Sequence, residues 1–123
     1  MKKNFGILPS GEAASLYTIS CGGITAGITD YGATLVSLLV PGSSGSVSDV
    51  VLGFDDCNGY ATGGGCLGET VGRNANRIKG ASFRLGNRDY SMVPNENGNN
   101  LHSGPDAYHL RLWRVISHKE DSI

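Results

Sequence analysis

The chain has 123 residues, enough for one small domain or a piece of a larger one. Hydrophobic residues make up 39% and charged residues 17%, which excludes a highly charged disordered tail. Ten basic against eleven acidic residues give a net charge of −1, so the chain carries no electrostatic footprint for nucleic acid or an anionic membrane.

Nineteen glycines are about twice the usual ~7% share, and they lack the three-residue period of collagen. The start, Met1-Lys2-Lys3-Asn4-Phe5-Gly6, has two lysines but no apolar run behind them, so a secretory signal is not expected. No stretch of 18 apolar residues predicts a membrane span.

In chain order, short β-like runs dominate. They are Leu16–Ile19, Ile24–Thr29, Thr34–Val40, Val47–Leu52, Ser82–Leu85, Asp89–Val93 and Leu112–Ile116. Gly22-Gly23 separates the first two, and Gly86-Asn87 reads as a hairpin turn. No dozen-residue window keeps helical periodicity without glycine or proline intruding. The expected fold class is all-β, an antiparallel sandwich or barrel. Two long stretches do not read as strands. Asp55 to Glu69 holds five glycines, and Pro94 to Tyr108 holds four asparagines, two prolines and His102. Loops of that length are often functional, although plain surface loops fit the composition equally well.

The cysteines Cys21, Cys57 and Cys66 are an odd number at wide spacing, with no C-x-x-C pair and no N-x-[ST] site nearby. This predicts reduced thiols in a cytoplasmic protein. His102, His109 and His118 match no common zinc spacing and have no cysteine close in sequence, so no metal site is expected. His118 lies in a charged end that reads as a solvated tail.

Gly63 to Thr70 nearly fits two phosphate-loop patterns, but Glu69 stands where one of them needs lysine, and no good helix follows. A flexible glycine-rich loop is the better interpretation. Arg73, Asn74, Asn76 and Arg77 crowd five residues. They make either a basic surface turn or a site that recognises hydroxyls or a carboxylate, since arginine offers a rigid fork of donors and asparagine both donor and acceptor. Asn99 to Gly104 is a second polar group, in which Leu101 could anchor the backbone while His102 faces either a cleft or water.

Taken in order, a longer set of residues resembles the aldose 1-epimerase (galactose mutarotase) family. The resembling stretches are Asp30-Tyr31-Gly32-Ala33-Thr34-Leu35, Val40-Pro41, Asp49 to Asp55, Tyr60, Gly68, Val71-Gly72-Arg73, Asn76-Arg77-Ile78, Leu101-His102-Ser103-Gly104 and Trp113. The resemblance implies an antiparallel β-sandwich of the mutarotase type, of which residues 1–123 would be the N-terminal portion. It implies interconversion of the α and β anomers of galactose or glucose, with no metal or organic cofactor. Asn76 and Arg77 match the family's sugar-contacting pair, and His102 matches the histidine of its Leu-His-Gly-Gly motif. Ser103 replaces a glycine there, which is acceptable at negative φ and strained otherwise. The family's general acid, a histidine, and general base, a glutamate, are expected beyond Ile123. Glu69, Glu96 and His109 occupy no matching motif, so no catalytic residue is assigned. The alternative is a non-catalytic carbohydrate-binding or vestigial module. A related sugar-phosphate epimerase would need more basic residues than Arg73 and Arg77. An incomplete sandwich would leave open strand edges, and self-association through them is expected.

Overall fold

The computed structural model describes residues 1–123. Five strands form one antiparallel meander in chain order: β1 (Lys2–Ile7), β2 (Ala13–Cys21), β3 (Ile24–Thr29), β4 (Thr34–Pro41) and β5 (Val47–Asp49). The middle strands carry the β-branched and leucine-rich runs that a half-buried pleated surface favours. Gly22 and Gly23 close the β2–β3 hairpin as a two-residue loop, Cys21 facing Ile24. Both have positive φ (58° and 83°), the geometry that matches strand twist. Two small ribbons follow. In one, β6 (Arg77–Ile78) pairs with β9 (Asn100–Leu101); in the other, β7 (Ser82–Leu85) pairs with β8 (Arg88–Ser91) through Gly86-Asn87.

The all-β, antiparallel expectation agrees with this architecture, but several elements differ. β1 lies in the N-terminal stretch that the sequence left unassigned. It pairs with β2 across a bulge at Asn4/Gly6 and places Phe5 in the core. Leu112–Ile116 does not form a strand. It contributes one bridge, Leu112 to Tyr31, and one backbone hydrogen bond, Trp113 N–H to the Asp30 carbonyl at 2.7 Å. Val47–Leu52 is paired only to Asp49, whose side chain accepts from the N–H groups of Leu38 and Val51 and ends the ladder.

A short helix, α1 (Cys57–Gly63), occupies the stretch expected to be a loop. Asp56 caps it by accepting from Gly59 N–H at 2.8 Å. Gly59 and Gly63 weaken helix propensity, yet both stand against the Phe54 ring, where a β-carbon on either would collide. Close packing, not periodicity, therefore makes this helix.

The core lies between α1 and one face of the meander. It comprises Phe5, Leu8, Ala14, Leu16, Tyr31, Cys57 and Tyr60, with Val36, Phe54 and Leu112 packed on it. Tyr60 meets Phe54 edge-on at 5.2 Å, and its hydroxyl accepts from Phe54 N–H. Only 17 of the 123 residues are buried, so this core covers one side of the sheet and leaves much apolar surface open. On the opposite face the charged end is docked, contrary to the solvated-tail expectation. His118 packs edge-on to Tyr17 and its Nε2 lies 3.0 Å from the Thr18 carbonyl. Ser20 N–H also bonds the Glu120 carbonyl, so β2 provides backbone partners that hold the tail. No helix is long and apolar enough to cross a membrane.

Candidate functional site

The β6–β9 ribbon joins the two polar groups singled out in the sequence. Arg77 faces Leu101 and Ile78 faces Asn100, so Asn76 and His102 meet at the ribbon's end. There the two residues bond reciprocally. Asn76 N–H donates to His102 Nδ1 and His102 N–H donates to the Asn76 carbonyl, both at 3.0 Å. Regular pleating would send Arg77 and His102 to opposite faces. Positive φ at Asn76 (62°) and His102 (54°) breaks that alternation. Arg77 Nη1 then reaches Asn76 Oδ1 at 3.4 Å, so Asn76 links the guanidinium on one side to the imidazole on the other.

Each side chain is held. Arg77 forms a two-point ion pair with Glu96, Nε to Oε2 at 3.0 Å and Nη2 to Oε1 at 3.2 Å. The hydrogen bonds and charge of Arg77 hold the Glu96 carboxyl below the usual carboxylate range, and Glu96 raises Arg77 in return. Because His102 Nδ1 accepts a hydrogen bond, the neutral ring carries its hydrogen on Nε2, which is left as a donor.

Ser103 has φ 60°, the conformation that its replacement of glycine made questionable. Its hydroxyl accepts from Asn74 N–H at 2.7 Å and donates to the Asn74 carbonyl at 3.1 Å. These two bonds offset the left-handed backbone and tie the Arg73–Arg77 segment to the histidine loop.

The asparagines of the second loop work on the backbone. Asn95 bonds both the N–H and the carbonyl of Leu101, as a neighbouring strand would. Asn100, not Leu101, is the buried anchor, donating to the carbonyls of Val93 and Gly104. Glu96 was legible as a residue but not as the partner of Arg77, since nothing in a 19-residue separation signals the pair.

Arg73 and Arg111 both lie over the Tyr108 ring, at 5.7 and 5.2 Å from its centre. The glycine-rich run follows the C-terminal end of α1 and so offers no helix N-terminus to a phosphate. A hollow of about 520 Å³, mostly apolar, lies between β3 and residues 113–117 and contains none of Asn76, Arg77 and His102.

Comparison with known proteins agrees with the sequence resemblance. A profile of the aldose 1-epimerase family matches residues 15–123. A probable aldose 1-epimerase of Arthroderma benhamiae is 37% identical over 93% of this chain and 27% of its own length. The galactose mutarotase of Bos taurus is 36% identical over 92% of this chain and 34% of its own. The crystal structure of an aldose epimerase homologue from C. elegans superposes with a TM-score of 0.80 at 37% identity, covering 88% of this chain and 34% of that one. A galactose 1-epimerase structure from Lactobacillus acidophilus shares the fold, with a TM-score of 0.76 at 23% identity. The chain spans about a third of the length of these relatives. A match over nearly all of these residues, on a mutarotase-type antiparallel fold, means that the chain belongs to the aldose 1-epimerase family.

Proposed function

We propose that residues 1–123 form the N-terminal portion of a mutarotase-type sandwich domain and carry the sugar-positioning part of an aldose 1-epimerase site, with galactose or glucose as substrate. The observation that carries this reading is the hydrogen-bonded link from Arg77 through Asn76 to His102. Anomer exchange removes the C1 hydroxyl proton, protonates the ring oxygen, and closes the opened chain on the other face. It needs one base and one acid. Arg77 Nη1 and His102 Nε2–H are donors that can hold sugar hydroxyls and stabilise charge developing on oxygen. Glu96 fixes Arg77 and is not free to act as the base. The acid and base belong to other segments of a complete site, and no metal or organic cofactor takes part. Free thiols at Cys21, Cys57 and Cys66 support a cytoplasmic setting.

Polarimetry of freshly dissolved α-galactose tests the division of labour. The 123-residue chain is expected to leave mutarotation at the buffer rate. Clear acceleration would place proton transfer inside these residues and overturn the proposal.

A further inference from the structure

The fold assembles a second cluster that spacing conceals. Cys66, Glu69 and His109 bring one sulfur, one carboxylate oxygen and one ring nitrogen within 4.8 Å of one another. Histidine spacing gave no reason to expect a metal, because the cysteine lies 43 positions before His109. The turn between β3 and β4 makes the juxtaposition. Thr70 N–H bonds the Gly32 carbonyl and Leu35 N–H bonds the Gly68 carbonyl, which docks the Cys66–Thr70 loop on one side. A β-carbon at Gly68 would collide with the Leu35 carbonyl, so only glycine allows this approach. On the other side Gly32 N–H bonds the Arg111 carbonyl, bringing the Tyr108–Arg111 turn alongside.

Two features point to a missing cation. The Glu69 side chain is only 6% exposed, and no lysine or arginine pairs with it; its nearest basic atom is His109 Nε2 at 4.0 Å. His109 Nδ1 is buried with no hydrogen-bond partner. A buried carboxylate whose one side-chain hydrogen-bond partner is the Cys66 thiol, and a ring nitrogen with no partner, are both costly unless a further group satisfies them.

We propose that Cys66, Glu69 and His109 form a site for a zinc-class divalent cation. Thiolate and carboxylate together carry two negative charges, which a divalent ion neutralises. Sulfur, nitrogen and oxygen donors suit zinc and its late first-row neighbours, whereas magnesium and calcium take oxygen. Tetrahedral zinc separates its ligand atoms by about 3.3–3.8 Å, so the three side chains need close by only about 1 Å. The fourth position falls to water. Bound there, the ion would staple the glycine-rich loop to the turn that carries Tyr108.

Cysteine alkylation mapped by mass spectrometry tests this on the wild-type chain. Equimolar Zn²⁺ is expected to slow labelling of Cys66 by about tenfold or more, because the metal-held thiolate is withdrawn from reaction. Exposed Cys21 should label at the same rate with and without zinc, and Mg²⁺ should protect neither. In chelator competition, Cys66→Ser and His109→Ala should each weaken Zn²⁺ binding by about 100-fold. Unprotected Cys66 at saturating zinc, or equal protection of Cys21, would overturn the site, as would unchanged affinity in both variants. None of these readouts depends on sugar binding.

Discussion

The Arg77–Glu96 pair sets one pH dependence of the candidate site. Arg77 lowers the Glu96 pKa beneath its ordinary 4.5, so the pair contributes above that value and is lost as pH falls through the lowered one. An NMR titration of the Glu96 carboxyl should therefore give a midpoint below 4.5 that returns toward 4.5 in Arg77→Ala. An unmoved midpoint would mean that the ion pair does not form in solution. Ser103 offers a second test at this scale. Ser103→Ala keeps the left-handed backbone but removes both bonds to Asn74, and should cost about 1 kcal/mol or more in denaturant unfolding. Ser103→Gly removes the same bonds but relieves the backbone, and should be the milder change. The reverse order would contradict the role given to the hydroxyl. The identities of Asn76, Arg77 and His102 as candidates came from the sequence. Their linkage did not, because it depends on positive φ at both Asn76 and His102, a conformation uncommon outside glycine and not signalled by spacing.

At the level of elements, legibility followed the source of the stabilisation. Strands β2, β3 and β4 announce themselves through runs of β-branched and apolar residues, and the hairpins through Gly22-Gly23 and Gly86-Asn87. Helix α1 carries no such signal. Its two glycines exist to let it lie on Phe54, so packing overrides propensity. Strands β6 and β9 are two residues each and are held largely by asparagine side chains, which read as loop. The helix joins the core chiefly through Tyr60. Tyr60→Ala should destabilise by about 3–5 kcal/mol, and Gly59→Ala should destabilise although alanine favours helices in general. Chemical denaturation measures both, and a stabilising Gly59→Ala would show that α1 does not seat on Phe54.

For the molecule as a whole, the one-sided core has consequences beyond the site. Strand β5 is exposed along its length, Val47 is 60% exposed, and Leu52 and Val50 continue the apolar strip. Such an edge templates pairing with another chain. Light scattering should find self-association that grows with concentration and falls in Val47→Lys; a monodisperse wild type at all concentrations would contradict this. The same one-sidedness fits a chain that spans about a third of the length of its relatives. The claim on which the account rests is that Arg77 and His102 hold an aldose. Calorimetric titration of the 123-residue chain with D-galactose tests it most directly. The account predicts saturable binding that either Arg77→Ala or His102→Ala weakens by about tenfold or more. No binding by the wild type, or equal binding by both variants, would contradict it.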